Sequence, residues 1–383
     1  MPSHINFNMI KKSAISAVLL AAGLSRRMGC FKPLLSLGAG RTIERVVNFF
    51  KAAGVGDILV VTGHRAGDVC RTVEPFGACC VENPDYHQGM FSSVLAGIKA
   101  LSEQCGAFFI HPADIPLVRP QTVMRLMAAL EETNAAIIYP TFRGRRGHPT
   151  LIQSRLRTNI LGKAYPGGLR AFLKNHEAES LDLPVADEAI LLDIDTPEDY
   201  KRMLARPIPD GLPSDEECHV LLDEIQNLPA PIVAHCQTVS IVAQRLAQAL
   251  QAAGVTIDME LVRTAALLHD IARTQKKDHA DIGADLLEYH GFSRIAPIVR
   301  AHMDVKLDAE STIDETQVVY LADKLVCEDR RVKLSQRFDR QIEKFGASPH
   351  VLAAILKRRE NALHIQKKVE QVTHKSIDTI TGP

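Results

Sequence analysis

The chain lacks any net charge: 45 Lys and Arg balance 45 Asp and Glu over 383 residues. Without a broad basic field, a DNA- or RNA-binding surface is not expected. Long apolar runs are also missing. The run that follows Lys11 and Lys12 is short and interrupted by Gly23, Arg26 and Arg27, so it makes neither a membrane span nor a good signal peptide. Internal repeats and low-complexity tracts do not occur. The eight cysteines show no CxxC spacing, which points to reduced thiols in a cytoplasmic protein rather than a disulfide framework.

What is present is the composition of a globular protein, 46% apolar and 23% charged, in a chain too long for one core. Up to about residue 205, apolar runs alternate with amphipathic stretches. Strands are expected at Ala17–Leu20, Asp57–Thr62, Ala107–His111, Ala136–Tyr139 and Ile190–Leu192. Helices are expected at Ile43–Lys51, Ser92–Leu101, Gln121–Leu130 and Pro197–Leu204. Such alternation implies a largely parallel sheet covered on both faces, with ligands at the carboxyl ends of its strands. The string ARPIPDGLP, Ala205 to Pro213, interrupts the pattern and marks a boundary. Beyond it the chain reads as helix: Val233–Gln251, Met259–Ile271, His279–Glu288, Ile295–His302, Thr316–Cys327 and Pro349–Lys368.

The first half is organised around Ser16–Leu35, SAVLLAAGLSRRMGCFKPLL. A buried strand breaks into a small-residue loop whose backbone N–H groups can approach an anion, with Arg27 and Lys32 adding positive charge where a triphosphate would lie. A bare AAG is more often an ordinary turn. Asp114 ends an apolar strand in AFFIHPADIPL, which suits either a Mg2+ ligand or an Asx-type turn. Asp195, in LLDIDTPEDY, suits either a metal ligand or a helix N-cap, and Asp193 is a lesser candidate ligand.

Taken together these strings resemble the MobA-like nucleotidyltransferases, whose signature LAAGxSxRMGxxKxLL is matched by LAAGLSRRMGCFKPLL. The resemblance implies a Rossmann-like, mostly parallel α/β domain over residues 14–205. Leu20, Ala21, Ala22, Gly23, Arg27 and Lys32 fall on its nucleotide-binding positions, with Arg27 and Lys32 as catalytic cations. PADIPLV and DTPED match its metal motifs, which makes Asp114 and Asp195 the expected Mg2+ ligands. YHQGMFSSVLAG resembles the segment that holds base and ribose, with Gly89, Ser92 and Ser93 on matching positions. RGRRGHPT resembles the acceptor-facing loop, placing His148 at the acceptor. Guanylyltransferases of this superfamily usually carry LAGG, so LAAG points to CTP and to the molybdenum cofactor cytidylyltransferase branch.

After a linker at 206–214, residues 215–383 carry a different constellation. His235 shares a helical face with Val239, Val242 and Leu246, and alone would read as a packed core residue. His269-Asp270 ends an apolar helix, and Asp323 is placed with Val319 and Val326 on another apolar face, costly unless paired. The H…HD…D pattern of His235, His269, Asp270 and Asp323 resembles the HD-superfamily phosphohydrolases. This implies an all-α domain holding Fe, Mn, Zn or Ni, with Asp270 catalytic. His279 and His302 resemble second-metal positions.

The expectation for the whole is a bifunctional enzyme. One half transfers CMP from CTP to the phosphate of molybdopterin with Mg2+; the other hydrolyses a phosphate ester. A molybdenum hydroxylase apoenzyme is the expected partner. Rival readings keep the chemistry on a sugar phosphate, or make the chain a cofactor carrier with a regulatory HD module.

Overall fold

The computed structural model describes residues 15–162, 165–206, 211–275, 277–307 and 312–382. Position 14, where the first domain was expected to begin, and positions 207–210 of the expected linker lie outside these. The chain divides into two compact units, Met1–Pro209 and Asp210–Pro383.

The first unit is built on an eight-stranded sheet. In chain order its elements begin with β1 (Ile15–Leu20), the small hairpin β2 (Ser36–Leu37) and β3 (Gly40–Arg41), α1 (Thr42–Ala52), β4 (Asp57–Thr62), α2 (Ala66–Val73) and β5 (Cys79–Glu82). There follow α3 (Met90–Ala100), β6 (Ala107–Pro112), α4 (Pro120–Glu132), β7 (Ile137–Phe142), β8 (Arg145–Arg146), β9 (Thr150–Gln153), α5 (Arg157–Gly162), α6 (Gly168–Asn175), β10 (Ser180–Pro184) and α7 (Pro197–Ala205). The sheet order is β10-β7-β9-β6-β1-β4-β5, with β8 paired to β7. β1 is parallel to both β4 and β6, with Leu20 opposite Pro112. The chain therefore winds outward in opposite directions from β1 and β6, and the loops that follow them open a crevice at this switch point.

Most of the sheet is parallel, as expected, but β9 runs antiparallel between β6 and β7. The strand expected at Ile190–Leu192 is instead a 3-10 turn over Glu188–Leu191. The cause is Asp187. Its buried carboxylate accepts hydrogen bonds from the backbone N–H groups of Arg119 and Ala189 and from the Thr122 hydroxyl, and pairs with Arg119. An ionised group satisfied by so many local donors dictates a turn where the apolar string alone suggests a strand. The expectation of free thiols throughout also fails at Cys70 and Cys80, which are paired between α2 and β5 with Cα atoms 5.8 Å apart.

The second unit consists of α8 (Asp215–His219), α9 (Ala230–Ala252), α10 (Met259–Leu268), α11 (His279–Tyr289), α12 (Ala296–Ala301), α13 (Glu315–Lys324), α14 (Leu334–Phe345), α15 (Pro349–Thr373) and α16 (Ile377–Thr381). Among the described residues its strands are a two-stranded hairpin, β11 (Val326–Cys327) and β12 (Arg330–Arg331). The helix expected over Thr316–Cys327 thus stops at Lys324, and Val326 leaves the helical face on which it was placed with Asp323. Leu325 closes the helix with its N–H and accepts from Val332 with its carbonyl, which starts the hairpin. α9, α10 and α13 pack on one another around fully buried side chains such as Val239, Leu246, Val262 and Tyr320.

The parallel sheet requires close helix approach at Gly97 on α3. A Cβ there would lie 2.3 Å from Val18 Cγ1 and 2.9 Å from Val61 Cγ2. Alanine would gain about 1 kcal/mol of helix propensity, but overpacking two stiff, fully buried valines costs about 1–3 kcal/mol. Gly97→Ala is therefore expected to lower the melting transition of the amino-terminal unit in calorimetry; an unchanged or raised transition would contradict this packing.

Candidate active sites

In the first unit the loop after β1 is held by two backbone bonds: Ala21 N–H donates to Val61 and His64 N–H to Ala22. The Ala21 amide is thus occupied, which leaves Ala21 as lining rather than as an anion donor. Ser25 adopts a positive φ of 52°, and its hydroxyl accepts from the Lys32 backbone N–H. This fold-back delivers Lys32 to the crevice. Its ammonium lies 3.0 Å from Asp114 Oδ2 and 2.6 Å from Asp195 Oδ1, and Arg27 Nη1 reaches Asp195 Oδ2 at 3.2 Å. Burial opposes the Lys32 charge, but the two carboxylates outweigh it and raise its pKa. The Lys32 hydrogen bond in turn holds Asp195 below the usual carboxylate range. Burial, reinforced by Asp195 and Asp114, raises Asp193.

Asp195 does not act as the N-cap of α7. Thr196 does, in a reciprocal capping box with Asp199, so the Asp195 carboxylate is left for the cations. Around them a cleft of about 480 Å³ is lined by Leu20, Ala21, Ala22, Gly23, Gly89, Ser93 and others, including Tyr86 and Met90. Asn83 is a residue that sequence reasoning missed. It is buried, and its amide donates to both Ser92 and Ser93 hydroxyls. Ser92 itself donates to the carbonyls of Asp85 and Gly89 and does not line the cleft, so it shapes the loop rather than facing it.

His148, expected at the acceptor, is set apart from these residues. It does not line this cleft. Its backbone N–H donates to Ile190 O, and its ring turns inward, 6.2 Å from that of His111.

The second unit gathers its constellation from the ends of five helices, α9 to α13. His235 Nε2 lies 3.3 Å from Asp323 Oδ1 and 4.0 Å from Asp270 Oδ2. His269 Nε2 lies 3.7 Å from Asp270 and 3.8 Å from Asp323. On the other side of Asp270, its Oδ1 is 3.3 Å from His279 Nε2 and 3.4 Å from His302 Nε2. Two groups with metal-ligand spacing result, His235-His269-Asp270 and Asp270-His279-His302, which share Asp270.

Backbone carbonyls orient three of the rings. Nδ1–H donates to Glu328 O from His235, to Ala266 O from His269 and to Val299 O from His302. Each Nε2 lone pair therefore faces the cluster, an orientation that suits metal ligation. His269 Nε2 is buried with no hydrogen-bond partner. This orphaned atom and the imidazole-carboxylate donor set fit a divalent transition metal. Burial pushes His269 down to about 4, whereas at His235 burial is outweighed by Asp323 and the pKa is raised. Burial opposes the charge on Asp270, but the surrounding imidazoles hold it well below the usual range.

Three comparisons set this chain beside known proteins. The profile of the MobA-like NTP transferase domain matches residues 17–180, and that of the HD domain matches residues 232–326. A relative 30% identical over 199 residues, the nicotine blue oxidoreductase of Paenarthrobacter nicotinovorans, is covered over 96% of its length and over 50% of this chain. The chain belongs to the MobA-like NTP transferase family. It carries an HD domain in its second half. The molybdenum cofactor cytidylyltransferase of Escherichia coli (strain K12) is 29% identical over 194 residues, 94% of that protein and 49% of this chain. A solved nucleotidyl transferase from Methanothermobacter thermautotroptrophicus (Mth528) is 25% identical with a TM-score of 0.44, covering 95% of that chain and 50% of this one. By its family match the protein is a nucleotidyltransferase with an HD domain. No helix among the described residues is long and apolar enough to cross a membrane.

Beneath the first cleft, burial and the neighbouring His148 push the pKa of His111 down to about 3, against a partial offset from the Ile115 carbonyl that its Nε2–H contacts at 2.9 Å. The unfolded chain, with an ordinary histidine near 6.5, takes up the proton first. Stability from the neutral ring is therefore complete above about pH 6.5 and is lost as pH falls toward the folded value, by up to about 1.4 kcal/mol per pH unit. His111→Gln is expected to be less stable at pH 7 but to show a shallower loss between pH 6.5 and 4.5 in denaturant titrations. Parallel slopes for the two proteins would refute this assignment.

Proposed function

We propose that the first unit transfers CMP from CTP to the terminal phosphate of molybdopterin. The arrangement that carries this reading is Lys32 seated between Asp114 and Asp195 at the mouth of the cleft formed by the LAAG loop. A phosphate oxygen of the acceptor attacks the α-phosphorus, a new P–O bond forms, and the α–β bridge breaks with its electron pair leaving on pyrophosphate. Little covalent work is asked of protein groups, so positioning and charge dominate.

The Ala22 and Gly23 backbone, with Arg27 and Lys32, would hold and neutralise the phosphates. Two carboxylates converging on one cation make an oxygen donor set suited to Mg2+. Asp114 and Asp195 would hold that ion, which supplies Lewis-acid charge to the reacting phosphates. Gly89 and Ser93 would contact the nucleoside, with Ser92 positioning their loop, and His148 would support the cleft from beneath. The named activity of the Escherichia coli relative supports CTP and the pterin acceptor.

Mass spectrometry of the product formed from molybdopterin with equal CTP and GTP tests the reading; the cytidine dinucleotide should dominate, and a guanine product would overturn it. Asp114→Asn and Asp195→Asn should each lower pyrophosphate release by about 100-fold or more while remaining folded, given the ~2.7–4 kcal/mol scale of one preorganised stabilising group. Wild-type rates in either variant would exclude these ligands.

We further propose that the HD unit is a metal-dependent phosphohydrolase. His235, His269, Asp270 and Asp323 would hold one divalent ion, and Asp270, His279 and His302 a second. Such ions lower the pKa of water and polarise a phosphoryl oxygen. Sharing of Asp270 predicts two Mn2+ or Fe2+ per chain by elemental analysis. His302→Ala should retain at most one, and Asp270→Ala should weaken both. Binding of a single ion that is indifferent to His302 would refute a binuclear centre.

A further inference from the structure

Over the HD cluster lies a second cleft of about 260 Å³, floored by His235, Asp270 and Asp323. Four cations line it: Arg273, Lys324, Arg337 and Arg358. They arrive from different elements, Arg273 from the turn after α10, Lys324 from the end of α13, Arg337 from α14 and Arg358 from α15. Two are already committed. Lys324 Nζ is 2.5 Å from Asp323 and 3.2 Å from the His302 carbonyl, and Arg358 clasps Asp304 at 2.9 and 2.7 Å. The other two hold their carboxylates loosely, Arg337 Nη2 at 3.6 Å from Asp323 and Arg273 Nε at 3.8 Å from Asp270, while Arg337 Nη1 donates to the Val326 carbonyl and Arg273 Nη1 meets His279 Nε2 at 3.2 Å. Arg337 Nε is buried with no hydrogen-bond partner. Guanidinium groups with spare donors on both sides of the cluster suit an anion carrying two phosphoryl groups.

The walls offer little to a nucleobase. Among the described residues the apolar lining is limited to Pro231, Ile232 and Met303, and no Phe, Tyr or Trp lines the cleft. A nucleobase gains about 1–3 kcal/mol from each aromatic platform on which it stacks, and none is offered here. The cleft is also roughly half the volume of the one in the first unit.

We propose that the HD unit hydrolyses inorganic pyrophosphate, the product released by the first unit; this rests on the phosphohydrolase reading above. A water oxygen attacks one phosphorus, the bridging P–O bond breaks with its electron pair leaving on the second phosphate, and the two water protons end on two hydrogenphosphate ions. The chemistry of transfer gives this step a purpose. Nucleotidyl transfer to a phosphate exchanges one phosphoanhydride for another and is close to balanced, so removal of pyrophosphate makes it directional.

The test uses the full chain loaded with Mn2+, its metal content verified. Phosphate release is measured from pyrophosphate, p-nitrophenyl phosphate and CMP, and calorimetry follows binding of non-hydrolysable methylenediphosphonate. The expected result is a kcat/KM for pyrophosphate at least about tenfold above the others. Methylenediphosphonate binding should weaken about tenfold or more in Arg273→Gln and in Arg337→Gln, with metal content retained. Arg273 is half exposed, so its variant tests the cleft even if Arg337→Gln, which loses a bond to the Val326 carbonyl, is unstable. Turnover of p-nitrophenyl phosphate or CMP without pyrophosphate would overturn the proposal and leave the phosphohydrolase reading standing. Loss of all three activities in metal-loaded protein would overturn both. Unaltered methylenediphosphonate binding in the folded variants would overturn the assignment of the cleft.

Discussion

Lys32 meets two carboxylates that lie 82 and 163 residues further along the chain, and the amino-terminal site exists because these three groups must be near one another to be tolerated. An ammonium that is mostly removed from water needs anionic partners, and Asp114 and Asp195 provide them from the loops after β6 and before α7. The constraint reaches outward into the fold. Asp114 is delivered by the pairing of β6 with β1, Lys32 by the fold-back at Ser25, and Asp195 by a helix start that Thr196 caps in its place. A carboxylate freed from capping is available for cations. The same reasoning gives Arg27 its lesser weight, since it is highly exposed and its pairing with Asp195 is screened by solvent.

The HD unit solves the burial of charge differently. Asp270 is 7% exposed and Asp323 is 4% exposed, and no carboxylate in such a place persists without compensation. Lys324 and Arg337 serve Asp323, whereas Asp270 is met chiefly by imidazoles whose N–H groups are turned away toward backbone carbonyls. The arrangement makes electrostatic sense around a divalent cation, for which both lone pairs and carboxylate are donors.

Legibility in the sequence followed the range of the interactions involved. Strands β1, β4, β6 and β7, and helices α1, α3, α9 and α11, are set by periodicity and local breakers, and their positions can be read from apolar spacing. β9 and β10 were not legible, because TLIQ and SLDLP become strands only through pairing with β6 and β7. The Ile190 segment misled because the decisive group, Asp187, draws its donors from Arg119 and Thr122, more than sixty residues earlier. At the sites, the motif strings named the side chains that converge, but not those that frame them. Asn83 carries no motif, and Arg337 and Arg358 sit on helices where basic residues ordinarily face solvent. His148 has a recognisable motif, but the motif does not say which way the ring turns, and in the structure the ring lies 6.2 Å from that of His111.

The two units differ in donor chemistry in a way that bears on the two metal-assisted reactions proposed for this chain. The first offers carboxylate oxygens, hard donors in an open cleft that leaves room for water and substrate phosphates to complete a coordination shell. The second offers four imidazole nitrogens and two carboxylates, borderline donors in a narrower cleft, preoriented by backbone carbonyls. Transition metals bind nitrogen-rich sites far more tightly than Mg2+ does, and Mg2+ is the more abundant partner for oxygen-only sites. Mg2+ is therefore a poor competitor for the second unit, and its abundance favours it in the first. Because both proposed reactions act on phosphoryl groups, the difference between the two units would be one of ligand type rather than of substrate.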